Sequence, residues 1–159
     1  MDKDRLLQQL KDDEGFTPVA KWDNKQFSYG YGCKAPCAGA KISEPAAAQL
    51  LAQHIDQAIA DFNRIFSADL GKFNDVRQEA FVNLIFNMGP GAKGHPENGG
   101  LCSFTNTLGF IFNNKDVVPW QSVANGLKAS LWFRQVGSSG APPGRGNRIV
   151  AEVATGEKA

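Results

Sequence analysis

Two acidic residues near the N-terminus, Glu14 and Asp23, stand nine positions apart with strand-like and turn-like sequence around them. Glu14 falls where a first helix should end, and Asp23 falls in a stretch of turn formers. A hairpin that runs out and back can set two such carboxylates across a cleft. A pair of that kind is what glycoside hydrolysis uses: one acid protonates the leaving oxygen, and the other carboxylate assists water or stabilises positive charge. Taken alone, the pair more often describes a solvated helix end and an Asx turn.

The surrounding elements follow from periodicity. Asp2 to Asp13 places Leu6, Leu7 and Leu10 on one helical face, with Asp2 able to cap the start and Gly15 able to end it. Phe16 to Trp22 reads as extended. Phe27, Tyr29 and Tyr31 alternate with Ser28, Gly30 and Gly32, a second strand, and Asp23-Asn24-Lys25-Gln26 supplies the turn of a hairpin. Lys34 to Lys41 reads as loop. Ser43-Glu44-Pro45 opens a long amphipathic helix whose apolar positions Leu51, Ile55, Ala58, Ile59, Phe62, Ile65 and Phe66 keep helical spacing. Asn74 or Asp75 opens another, Val76 to Met88, apolar on nearly all sides and therefore a core helix. Residues 89–100, with five Gly and two Pro, form a loop. Short helices follow from Ser103, from Pro119 and around Ser130 to Arg134. A flexible stretch, Gly137 to Gly144, precedes a last helix through Arg148, Ile149, Glu152 and Val153. The class is α+β and mostly α.

Composition narrows the function. The chain has 159 residues, 42% hydrophobic and 21% charged, which fits one ordinary soluble domain. Seventeen basic residues against 16 acidic leave a net charge of +1, which argues against a nucleic-acid binder. No apolar run nears the ~20 residues that a membrane span requires. The polar start, Met1 to Arg5, shows no signal peptide, so a cytoplasmic origin is expected. Cys33, Cys37 and Cys102 are odd in number and fit no disulfide framework. Cys33 and Cys37 could pair locally or stay as free thiols. His54 and His95 lie far apart in none of the zinc spacings, so no metal and no cofactor are expected.

Glu14-Gly15-Phe16, then Asp23, then Ser28-Tyr29-Gly30-Tyr31-Gly32 resembles the catalytic signature of the phage lysozymes, the endolysin family that includes the T-even phage enzymes. Val76 to Gly89 is similar to the family's central helix, residue type for residue type. Ser103-Phe104-Thr105-Asn106-Thr107-Leu108 is similar to the helix start that follows it. Trp132 and the closing Arg145-x-x-Arg148 complete four ordered motifs spanning about residues 5–155. Three departures stand out. The turn after Asp23 is one residue shorter than in the T-even enzymes, Ser28 stands where they carry Thr, and Cys33 stands where they carry His.

The resemblance implies a single two-lobed, lysozyme-like domain over residues 1–159. Its N-terminal lobe would cover about 12–45 and its linking helix about 44–66. The C-terminal helical lobe would cover about 67–159, with helix 2–12 packed on it. The implied activity is hydrolysis of the β-1,4 bond between N-acetylmuramic acid and N-acetylglucosamine in peptidoglycan. Glu14 would be the general acid, a role that partial burial and the neighbouring Asp12 and Asp13 favour. Asp23 would stay ionised, and Ser28 would hold the water. Phe86, Asn87, Thr107 and Asn125 match positions lining the saccharide cleft. Read without the resemblance, Phe86 is core and the other three are caps or surface. Arg145, with Arg148 beside it, matches an ion-pair partner of the acid. Tyr29 and Tyr31 could stack on sugars or pack the hairpin face; Trp132 reads as core and His54 as surface. The protein is expected to act as a monomer on glycan strands, without membrane insertion, waiting in the host cytoplasm until a holin gives it access to the periplasm and wall. A lytic transglycosylase, a chitin-active hydrolase and a non-catalytic glycan-binding module are the rival readings.

Overall fold

Helix α1 (Lys3–Glu14) forms because Leu6 and Leu10, four residues apart, share one face, and both are fully buried. Gly15 ends it with φ +69°, its N–H bonded to the Lys11 carbonyl at 2.9 Å. The computed structural model from which these elements are taken describes residues 1–140 and 142–159. Ala141, inside the predicted flexible stretch, lies outside the described residues.

Three strands follow: β1 (Thr17–Trp22), β2 (Phe27–Gly30) and β3 (Cys33–Lys34). They form one antiparallel sheet in the order β1-β2-β3. The expected two-stranded hairpin is thus a three-stranded sheet. The tight turn Gly30-Tyr31-Gly32 sends the chain straight back, so that Tyr29 pairs with Cys33 and Ser28 with Lys34. The β1–β2 register runs through Trp22↔Phe27 and Lys21↔Ser28 and then shifts before Thr17↔Gly30, an irregularity of the bulge type. Beyond β3, the expected loop is pinned along β1: Ala20 N–H donates to Ala40 O at 2.8 Å and Ile42 N–H to Pro18 O at 3.0 Å.

Helix α2 (Glu44–Ile65) starts at Ser43, whose hydroxyl accepts from the Ala46 N–H at 3.3 Å. Ala47, Leu51, Ile55, Ala58, Phe62 and Ile65 are buried along it with the spacing of one helical face. Contacts group the chain into two compact units, Lys3–Gln57 on the one hand and Met1–Asp2 with Ala58–Ala159 on the other. The division falls within α2, and α1 groups with the sheet. Lys3 pairs with Asp56 at 2.5 Å and Lys11 with Glu44 at 3.0 Å inside that first unit.

The larger unit is helical. Its centre is α3 (Asp75–Met88), buried without a break from Glu79 to Ile85. Around it stand α4 (Thr105–Phe112), α5 (Trp120–Lys128), α6 (Leu131–Val136) and α7 (Arg145–Thr155). Phe66, Phe73 and Phe81 meet edge to face in a mutual triangle, with ring centroids 4.9 to 5.5 Å apart. Asn74 serves two helices. Its side-chain oxygen accepts from the Arg77 N–H at the start of α3, and its amide donates to Gly156 O at the end of α7. Arg77 donates to Val153 O at 2.9 Å and to Ala154 O at 3.1 Å, satisfying carbonyls that the end of α7 would otherwise leave open. Two buried carboxylates, Glu79 and Glu152, share Lys158, at 3.4 and 3.0 Å. The mostly helical α+β class expected from the sequence is the one observed.

Candidate active site

Glu14 is the last residue of α1 and is half-buried. Its carboxylate lies beside Gly32, where an added Cβ would stand 3.0 Å from Glu14 Oε2. Gly32 also holds φ +76°, so two independent reasons favour glycine beside this carboxylate. A small polar network fixes the surrounding elements. Lys11 Nζ and the Tyr31 hydroxyl both donate to Glu44 Oε1, at 3.0 and 2.9 Å, tying α1 and the β2–β3 turn to the start of α2. Those two hydrogen bonds, from Lys11 before Tyr31, hold the Glu44 carboxyl below its usual range. Tyr31 is buried, with its ring 5.7 Å from that of Phe16, and so packs the hairpin face.

Asp23 opens the β1–β2 turn. Its N–H donates to Gln26 O at 3.0 Å, and its Oδ1 accepts the N–H groups of Gln26 at 2.9 Å and Lys25 at 3.1 Å, an Asx turn. Its other oxygen, Oδ2, accepts the Ser28 hydroxyl at 2.5 Å. The side chain therefore turns from the first position of the turn toward β2. Ser28 first, and then the Gln26 amide, holds the Asp23 carboxyl below the ordinary carboxylate range, because both donate to its charged form. Asp23 is exposed, which keeps water at hand.

Glu14, Asp23 and Ser28 thus belong to one unit, and the sheet carries two of them in direct contact. The other predicted site residues lie in the helical unit. Phe86, at the end of α3, is half-buried rather than core; Asn87 beside it is half-buried too, and its Oδ1 accepts the Trp132 indole N–H at 2.7 Å. Trp132 itself is buried, as expected for core. Thr107 is neither cap nor surface: it is buried where α4 meets α5, and a Cβ on Gly126 would stand 2.2 Å from its Oγ1. Asn125 is exposed on α5 and accepts the Gln121 amide at 3.0 Å. Arg145 is buried, and its Nε and Nη2 both donate to Asn83 Oδ1, at 3.1 and 3.0 Å. Sequence reasoning passed over Asn83, Gly32 and Glu44. Of these, only Gly32 carried a signal, in the Gly-x-Gly spacing after Tyr29.

Among the described residues, no group of three His, Cys, Asp or Glu side chains is placed to hold a metal ion. No helix among them is long and apolar enough to cross a membrane.

A carboxylate at a helix end, beside a small sheet that carries an ionised carboxylate fixed by a hydroxyl, has the parts of a two-carboxylate glycosidase site. The family model for phage lysozyme matches residues 11–107, a span that contains Glu14, Asp23, Ser28, Phe86, Asn87 and Thr107 and stops short of Asn125 and Arg145. The match covers more than half of the chain, and the chain belongs to the phage lysozyme family. Membership implies an endolysin-type glycoside hydrolase that acts on peptidoglycan. No curated protein matches the chain.

Proposed function

We propose that this protein hydrolyses the β-1,4 bond between N-acetylmuramic acid and N-acetylglucosamine, with Glu14 as general acid, Asp23 as the ionised partner and Ser28 as the water-holding hydroxyl. The observation that carries the reading is the Ser28–Asp23 hydrogen bond, which lies inside the matched family segment. Because Ser28 spends its one hydrogen on Asp23, its remaining lone pairs can only accept. A water donating to Ser28 Oγ and to an Asp23 oxygen keeps its own lone pair free for the anomeric carbon. Glu14 gives its proton to the glycosidic oxygen as the C–O bond breaks, and the alcohol leaves. The water oxygen bonds to the anomeric carbon, and its surplus proton passes to a carboxylate. Asp23 stabilises the oxocarbenium-like charge between those events.

On the helical unit, Phe86 and the exposed Asn125 offer surface to the glycan, and Asn87 keeps its amide NH2 for a sugar oxygen while Trp132 holds its carbonyl. Thr107 acts through the packing of α4 on α5, and Arg145 through its hold on Asn83. The protein lyses the host wall as a monomer, leaving the host cytoplasm through a holin for the periplasm and wall.

Mass spectrometry of soluble fragments from digested, purified peptidoglycan tests the reading. Disaccharide-peptides ending in reducing muramic acid are expected. Anhydro-muramic ends would make the protein a lytic transglycosylase with no water for Ser28 to hold. No fragments from a folded sample would make it a glycan-binding module.

A further inference from the structure

Cys33 opens β3 and is buried, with its Sγ 3.7 Å from His54 Nδ1, within hydrogen-bonding reach for a sulfur. His54 itself stands on α2 and is exposed, yet its ring nitrogen meets the buried Cys33 sulfur. The residue before Cys33 is Gly32, and the Glu14 carboxylate occupies the space beside it that a side chain would enter, 3.0 Å from where a Cβ would stand. Burial, and after it the charge of Glu14, raises the Cys33 thiol above its usual range, so the sulfur keeps its proton and can donate it to the imidazole. From these placements we infer that His54 is a positioning residue for Glu14: through Cys33 it fastens the Gly32–Cys33 backbone to α2 and thereby fixes the carboxylate that lies beside Gly32. The contact uses neither the Asp23–Ser28 bond nor the Lys11–Glu44–Tyr31 network, and it gives a task to a histidine that the sequence marks only as surface.

This inference rests on Glu14 acting as the general acid, and the test separates the two. Kinetics are measured on purified, solubilised peptidoglycan strands with the full chain and with His54→Leu, His54→Asn, Cys33→Ala and the His54→Leu/Cys33→Ala double variant. His54→Leu is expected to lower kcat about tenfold with KM unchanged, within the ~100-fold that a misplacement of about 1 Å can cost. His54→Asn, which keeps a hydrogen-bonding atom near the Nδ1 position, is expected to restore most of it. The double variant is expected to lose no more than the worse single one, since both break the same link. Peptide-resolved labelling with methyl methanethiolsulfonate is expected to reach Cys33 faster in His54→Leu. An active parent whose His54→Leu variant matches it in kcat would overturn the positioning role alone. A loss that His54→Asn does not recover, or that multiplies in the double variant, would also overturn it. A parent with no hydrolysis at all would overturn the acid assignment and this inference with it.

Discussion

The Ser28 hydroxyl donates to Asp23 Oδ2 across 2.5 Å, so an aspartate at the first position of a turn has its carboxylate drawn toward the adjoining strand. Charge-assisted O–H···O⁻ bonds of this length are among the stronger ones available to a side chain. The bond helps set both the direction of Asp23 and its low titration, beside the Gln26 and Lys25 N–H groups on its other oxygen, and Ser28→Ala removes the largest of these contributions. Ser28 is the first cause of the lowered Asp23 titration, so its loss moves that titration upward. The acid limb of a pH–activity profile should shift to higher pH in the variant. The sign for stability follows: a carboxyl lowered in the folded state stabilises at neutral pH and loses that contribution as the pH falls through its folded value. Ser28→Ala should therefore cost stability near neutrality and show a shallower loss on acidification. An acid limb that does not move would separate Ser28 from the chemistry.

Glu14→Gln should reduce hydrolysis by about 10²–10⁴-fold, the usual worth of a general acid. The amide is nearly isosteric and lies at the end of α1, so the melting temperature should stay within a few degrees. Fragment release from peptidoglycan and thermal unfolding, measured on the same sample, check both halves.

Gly32→Ala should damage structure and activity together. Its φ of +76° costs an L-residue roughly 1–2 kcal/mol, and the new methyl would press on Glu14 Oε2 from 3.0 Å. Denaturant unfolding should record a loss of that size. The residual activity should fall further than the residual folded fraction, because the methyl displaces the acid itself. Activity that merely follows the folded fraction would mean that the contact with Glu14 is incidental.

Gly126→Ala should destabilise by about 1–3 kcal/mol, since the added Cβ would meet Thr107 Oγ1 at 2.2 Å between two packed helices. Thr107→Ala deletes that oxygen, and the double variant should recover part of the loss. Two costs that simply add, as read from chemical unfolding, would refute a shared contact.

Asn83→Ala should cost about 1–3 kcal/mol, because Arg145 Nε and Nη2 both donate to the Asn83 carbonyl oxygen in a buried site. A melting temperature within about a degree of the parent would mean that the guanidinium finds equivalent acceptors elsewhere.

The sequence by itself determined the longer elements and the family. Helical spacing of Leu6 with Leu10, and of Leu51 with Ile55, Ala58 and Phe62, marks faces that have to be buried wherever they end up. Gly15 and Asn74 mark helix boundaries for local reasons, a left-handed residue and a side-chain cap, and both lie where those rules put them. Glu14, Asp23 and Ser28 lie within 15 positions of one another, so their spacing can be read along the chain. What the sequence left open depends on neighbours that are distant along the chain. The strand at Cys33–Lys34 needs β2 as a partner, and two residues carry no periodicity of their own. Nothing local distinguishes a buried Thr107 from a surface threonine; the approach of Gly126 decides it. The same holds for Asn83 under Arg145, 62 positions away, and for His54 beside Cys33, 21 positions away. Hydrogen bonds and steric contacts of a few ångströms are properties of the packed chain, so only the tertiary structure could choose these partners.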